Sequence, residues 1–281
     1  MDAEEYRADS RDSWEQAAKG WTSRREDMQA SALPVSQRLI EGAALKPGHE
    51  VLEVAAGLGD TGLLAASLVK PGGRVVITDG ADAMVEAAKA HAEAVGADNV
   101  EVRQMEAEWL DVQTASFDAV LSRWGYMLLA DPEAALREAR RGLKPGGRIA
   151  LAVWAPMQEN PWIGVIQAQL LGRGLASPPE PGTPGMFALG APGAVTELLA
   201  AAGFADAAVE PVDFTWNAES LDAWWDHTRT VSISLGNVLQ KLTPAEHYEL
   251  RDAVDAGYAP YVAQDGSVAL PARALVASAD A

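Results

Sequence analysis

The chain has no cysteine, which excludes disulfides, thiolate nucleophiles and cysteine-ligated zinc together. Its four histidines, His49, His91, His227 and His247, stand at no metal-ligand spacing, so no metal site is expected. Basic residues are also scarce. Only 22 Lys and Arg face 40 Asp and Glu, and the net charge of -18 sets up a field that repels phosphate backbones and anionic bilayers. Nucleic acid is therefore not an expected partner. No apolar run approaches the ~18 residues of a membrane span, and the acidic start from Met1 to Arg11 lacks the apolar core of a secretion signal. These absences lead to the expectation of a cytoplasmic protein without membrane insertion. Nothing in them opposes a homo-oligomer.

What is present supports one large core, since 48% of the 281 residues are hydrophobic. From Leu45 to Val153 short apolar runs alternate with helical patterns, as in a parallel sheet covered by helices. Strands are expected at Val51–Val54, Val75–Thr78, Val100–Arg103, Phe117–Leu121 and Ile149–Val153, with two more at Ala207–Trp216 and Ala272–Ala277. Three near-identical turns precede strands: Lys46-Pro47-Gly48, Lys70-Pro71-Gly72-Gly73 and Lys144-Pro145-Gly146-Gly147. In each, proline ends a helix and glycine supplies the positive φ of a tight turn. Asp82 is placed to cap the helix that buries Met84, Val85, Ala88 and Val95, with Gly96 placed to end it, and Asp131-Pro132 opens another.

Three pieces fall outside the repeating unit. Residues 1–42 are helical and polar, 156–193 are rich in Pro and Gly, and 219–266 are helical, with a capping box at Thr243 and Glu246. They are expected to pack together as a lid over the carboxyl ends of the strands. The remainder is a cofactor-binding core of residues 43–155, continued by 194–218 and by a final strand and tail at 267–281. The expected fold class is α/β, with a mostly parallel seven-stranded sheet, helices on both faces and a helical lid.

The first strand runs into Glu53-Val54-Ala55-Ala56-Gly57-Leu58-Gly59-Asp60-Thr61-Gly62, a glycine-rich turn that lets backbone approach a ligand closely. At the end of the second strand stands Asp79, where a carboxylate can accept both hydroxyls of a ribose. Asp82 is better placed as a helix cap, which leaves Asp79 for a ligand. The glycine pattern also satisfies the dinucleotide fingerprint, so the motif alone does not choose between nucleotide cofactors.

Longer stretches carry a resemblance. Val51 to Gly59, Ile77 to Met84, Gln104 to Leu110, and Ser116 to Trp124 with its sequel Leu143 to Ile149 are together similar in order and spacing to the motifs of class I S-adenosylmethionine-dependent methyltransferases. Within that Rossmann-like class, the likeness is to the branch of the ubiquinone and menaquinone biosynthesis methyltransferases. The resemblance implies that Glu53 and the Ala55-Gly57-Gly59 turn hold the methionine part of S-adenosylmethionine and that Asp79 binds its ribose. It further implies that Gly80 and Met84 pack on the adenine, that Glu106 and backbone at Ala107 take the adenine amine, and that Arg123 lies beside the sulfonium. Ala55 departs from the usual first glycine, which calls for a backbone conformation open to any L-residue. Glu106 replaces the more usual aspartate.

The implied reaction is methyl transfer to a small-molecule acceptor. Nine tryptophans against four phenylalanines, with Trp14, Trp21, Trp162, Trp224 and Trp225 in the lid pieces, favour an apolar or aromatic one. A sulfonium is already an activated leaving group, so in-line placement in a dry pocket is the main task and a base is optional. His227, beside Trp225 and Asp226, is the first candidate base and Tyr126 the second. His49, His91 and His247 default to structural roles. Two rival readings remain at this level: an NAD(P)-dependent oxidoreductase, and a noncatalytic regulator that kept the fold.

Overall fold

The computed structural model describes residues 2–180 and 182–281. Two helices, α1 (Ala3–Ser23) and α2 (Arg25–Gly42), lead into β1 (Glu50–Glu53), α3 (Asp60–Leu68), β2 (Arg74–Asp79), α4 (Asp82–Ala94), β3 (Val100–Gln104) and β4 (Phe117–Arg123). Then follow α5 (Pro132–Gly142), β5 (Leu143–Trp154), α6 (Pro161–Gly172), α7 (Ala194–Ala201) and β6 (Ala205–Ala218). The chain continues through α8 (Leu221–Val231), α9 (Ile233–Leu239), α10 (Pro244–Tyr258) and β7 (Val268–Asp280).

The local chemistry explains several of these boundaries. Pro132 opens α5 without losing a needed donor, and the Asp131 carboxylate accepts from Ala134 N at 2.8 Å. At α10 the expected capping box forms: Thr243 N donates to Glu246 Oε2 at 2.8 Å and Glu246 N donates to Thr243 Oγ1 at 3.3 Å. Helix α4 departs from expectation at both ends: Val95, just past its last residue, is 59% exposed rather than buried. Asp82 is its first residue and makes no cap; Glu15 of α1 accepts instead from Asp82 N at 2.5 Å and Ala83 N at 2.9 Å. A carboxylate brought by tertiary packing thus satisfies the free N–H groups and favours the positive end of the helix dipole.

The strands form one seven-stranded sheet in the order β3-β2-β1-β4-β5-β7-β6. Strands β1 to β5 run parallel, and β7 lies antiparallel between β5 and β6. Residues Ile149 to Trp154 of β5 are all buried, though their side chains alternate between faces, so helices cover both faces there. The expected fold class holds. Three strands are much longer than the sequence pattern indicated: β5, β6 and β7 span 12, 14 and 13 residues. Pro211 and the acidic residues within β6 are tolerated because it is an edge strand. The third Lys-Pro-Gly-Gly turn also differs, because Lys144 to Gly147 lie within β5, where the β4 register shifts between Phe117 and Ala119.

The three segments outside the repeating unit touch one another, α1 packing on α8 and α9 and α6 on α10. The segment expected to be irregular after Pro156 contains α6, which packs on β7 and α10. Asn160, fully buried, ties it down by donating to Ala155 O at 3.0 Å and accepting from Arg273 N at 2.9 Å. Helix α8 packs on β6 and on α1. Helix α1 and the start of α2 border the cavity at the carboxyl ends of β1, β2 and β4, while Trp162 of α6 packs on Trp154 at the end of β5. No helix among the described residues is long and apolar enough to cross a membrane.

Candidate active site

A cavity opens where the carboxyl ends of β1, β2 and β4 meet, the crevice position of an open α/β sheet. After β1 the backbone takes left-handed conformations at Ala55 (φ 51°), Gly57 (φ 56°) and Gly59 (φ 76°). Ala55 therefore does not sit in a region open to any L-residue; it occupies the glycine-favouring region with a methyl group attached. The fold makes room elsewhere. A Cβ on Gly125 would lie 2.6 Å from the Ala55 Cβ and 2.8 Å from Ser122 Oγ, so Gly125 must lack a side chain because Ala55 has one. Gly62 serves helix–strand contact, since a Cβ there would strike the Glu53 carboxylate and approach Ile77 Cγ1 to 2.7 Å.

Asp79 is not free of structural duty. Its Oδ2 accepts from Gly57 N at 2.8 Å and its Oδ1 from Ala81 N at 3.0 Å. Burial pushes its pKa up, and the bonds from Ala81 and Gly57 pull it back. Each carboxylate oxygen keeps acceptor capacity for a ligand hydroxyl. Glu53 lies behind the turn, 1% exposed, accepting from Gly62 N at 2.8 Å. Burial pushes its pKa up to about 8, against the opposing effects of the Arg123 charge and the Gly62 N–H.

On the other side, a Cβ on Gly80 would approach Glu106 Oε2 to 3.0 Å, so the bare glycine keeps that wall open. Glu106 pairs with Arg11 of α1 at 2.6 Å. Glu108 pairs with Arg7 and accepts from Asp131 N at 2.9 Å. At the end of β4, Arg123 donates through Nη1 to Ser36 Oγ at 2.8 Å, and its Nη2 stands 3.6 Å from Asp60 Oδ2. Burial lowers the Arg123 pKa, while Asp60 and Glu53 counteract the shift. Asp60 itself accepts from Arg25 Nε at 2.9 Å. Trp124 follows in the left-handed region (φ 64°), with the Arg123 guanidinium 5.2 Å from its ring centre.

Of the residues singled out in the sequence, Ala55, Gly57, Asp79, Gly80, Glu106, Ala107 and Arg123 border the cavity together. Glu53, Gly59 and Met84 stand behind its walls; Met84 is fully buried in a cluster with Ala17, Ala18 and Leu58. His227 and Tyr126 are outside it. His227 stacks on Trp224, with ring centres 5.3 Å apart, at the far end of an aromatic tract that runs through Trp216, Trp162 and Trp154 to Trp124. Burial lowers its pKa. Tyr126 is 1% exposed, and burial raises the pKa of its hydroxyl. The sequence reading placed His227 by its segment, but α8 turns that face toward β6 and α1.

The same tract explains most of the tryptophans: Trp162 and Trp224 are packing residues, while Trp14, Trp21 and Trp124 border the cavity. Tyr6, Arg7, Arg11 and Met28 also border it, as do Asp60 and Leu128, and the sequence reading missed all six. A signal existed: Arg7, Arg11, Trp14, Ala18 and Trp21 recur at helical spacing and mark one face of α1.

The Methyltransferase domain family matches residues 52–151. Nocamycin O-methyltransferase of Saccharothrix syringae is 32% identical over 199 residues, covering 68% of this chain and 71% of that one. A ubiquinone/menaquinone biosynthesis C-methyltransferase, UbiE of Ectopseudomonas mendocina, is 39% identical over 111 residues, or 39% of this chain and 43% of the relative. The solved structure of a SAM-dependent methyltransferase from Aquifex aeolicus shares the fold at a TM-score of 0.52 and 20% identity, covering 69% of this chain and 92% of that one. The family motifs, the sheet order and a relative of this identity and coverage agree: the chain belongs to the class I S-adenosylmethionine-dependent methyltransferases.

Proposed function

We propose that the protein methylates a small, largely apolar or aromatic acceptor by in-line displacement, with both reactants held in the cavity between α1 and the ends of β1, β2 and β4. The carrying observation is the cavity's division of labour: polar groups on the β1–β2 side and a wall of Trp21, Met28, Trp124, Leu128 and Leu129. The residues present fit S-adenosylmethionine. Asp79 suits vicinal hydroxyls, Glu106 with Ala107 suits an exocyclic amine, and the bare Gly57 and Gly80 leave room for close approach. Four carboxylates, Asp60, Asp79, Glu106 and Glu108, against the guanidinium groups of Arg7, Arg11 and Arg123 favour a cationic ligand.

When bound, S-adenosylmethionine supplies a methyl group on a sulfonium leaving group. The chain's task is then placement and exclusion of water. Helix α1 covers the opening, pinned by Tyr6 Oη to Leu128 O at 2.9 Å and by the Arg7 and Arg11 pairs. The antiparallel β7 sets this sheet apart from the classic dinucleotide order 3-2-1-4-5-6, which speaks against an oxidoreductase. The relatives' names divide between O- and C-methylation. Calorimetric titration with S-adenosylmethionine and with NADH, paired with detection of S-adenosylhomocysteine on an acceptor panel, tests the proposal. Preferential NADH binding, or tight sulfonium binding without turnover on any acceptor, would overturn it.

A further inference from the structure

Arg123 is the charge in this cavity that the methyl-transfer reading leaves unexplained. Its guanidinium has five N–H donors, yet among the described residues its one hydrogen bond goes to Ser36 Oγ. Asp60, at 3.6 Å, is beyond hydrogen-bond reach and already accepts from Arg25. A buried guanidinium that borders the cavity with most of its donors unfilled is best satisfied by an oxygen anion in that cavity.

A second observation points the same way. Among the described residues, every carboxylate bordering the cavity is already engaged by an arginine or by backbone N–H groups, so none stands as a dedicated base. Glu106 and Glu108 are held by Arg11 and Arg7, Asp60 by Arg25, and Asp79 by two backbone N–H groups. None of the four histidines borders it. An acceptor that arrives already deprotonated needs no base.

We infer that the acceptor binds as an oxygen anion, the conjugate base of a phenol, enol or carboxylic acid, and that Arg123 is the residue that selects it. This rests on the methyl-transfer reading above. The guanidinium over the Trp124 ring presents a cation beside an aromatic wall, which suits a ring bearing an acidic hydroxyl. In the transfer, the oxygen lone pair forms the C–O bond while the C–S pair returns to sulfur. One negative and one positive charge vanish, no proton moves, and the products are a methyl ether or ester and neutral S-adenosylhomocysteine. The positive charge on Arg123 holds the anion in place against hydration before the step.

The test compares two neutral-sized isosteres, 4-nitrophenol and 4-nitroaniline, bound to the full chain loaded with S-adenosylhomocysteine, by equilibrium dialysis at about pH 8.5, where the phenol is ionised. Wild type is expected to prefer the phenolate by about tenfold or more, and Arg123→Gln to erase that preference while S-adenosylhomocysteine affinity stays within about threefold. Equal binding of the two probes in wild type, or a preference that survives in Arg123→Gln, overturns the inference. A folded Arg123→Gln that loses S-adenosylhomocysteine but keeps methylthioadenosine, which lacks the amino-acid tail, also overturns it by assigning Arg123 to the cofactor's own carboxylate. Should the glutamine variant fail to fold, Arg123→Lys decides. Phenolate binding about fivefold weaker with the cofactor product unaffected supports the inference, and unchanged phenolate binding defeats it. Failure of wild type to bind S-adenosylhomocysteine at all refutes the methyl-transfer reading instead.

Discussion

Glu53→Gln isolates one buried ionisation. The carboxyl group has an ordinary pKa of 4.5 and is pushed up to about 8 by burial behind the Ala55–Gly59 turn. Between these values the folded chain holds a proton that the unfolded chain releases, so the group's contribution to stability is fully present below 4.5 and is lost as the pH rises toward 8. The slope is about 1.4 kcal/mol per pH unit at its steepest. From about pH 5.5 to 7.5 this amounts to roughly 2.7 kcal/mol, which water entry at the ionised site reduces to about 2 kcal/mol. Glutamine keeps the acceptor for Gly62 N and cannot ionise, so the variant lacks this slope. The two proteins should melt alike near pH 5.5, and by pH 7.5 the variant should melt higher by roughly 4–8 °C. All other titrating groups are common to both and cancel in the difference. Differential scanning calorimetry across this range is the assay, and melting curves that stay parallel with pH would refute a protonated Glu53.

Asp79→Ala removes the acceptor that holds Gly57 N and Ala81 N, and S-adenosylmethionine affinity in the folded variant should fall by about tenfold or more in calorimetric titration. Gly125→Ala should cost about 2 kcal/mol or more in a denaturant titration, because its new methyl meets the Ala55 Cβ at 2.6 Å. Adding Ala55→Gly should recover much of that loss, and a purely additive double mutant would contradict the contact. His227→Ala should lower the melting temperature through loss of stacking on Trp224 yet leave kcat within about threefold, and a hundredfold loss would restore His227 as a base.

The parallel half of the fold was legible because β1, β2, β4 and β5 carry buried apolar runs and the edge strand β3 alternates apolar and charged residues. The nucleotide crevice was legible because Gly57, Gly59 and Asp79 are fixed by local backbone geometry. What depended on distant partners was not. Glu15 caps α4 from 67 residues away, a role no local pattern displays, and this left Asp82 as the apparent cap. The sign of φ at Ala55 is settled by Gly125, in another strand's exit loop. Arg7 and Arg11 resemble any solvated charges on a polar helix until Glu108 and Glu106 stand opposite them. His227 was placed by its neighbours in sequence, whereas the helix face it shares with Trp224 and Thr228 decides where it points.

The insertion of β7 between β5 and β6 also governs assembly on the ribosome. Strand β6 pairs with β7 alone, and it emerges about 50 residues before that partner, as the end of β6 at Ala218 and the start of β7 at Val268 show. During this interval a 14-residue strand has neither edge satisfied. Asp206, Glu210, Asp213 and Pro211 within it oppose pairing with a neighbouring nascent chain. The parallel strands β1 to β5 can meanwhile assemble from segments already synthesised. Release of the β7 segment is then the event that closes the sheet, so a translational pause placed before Val268 would lengthen the exposure of β6.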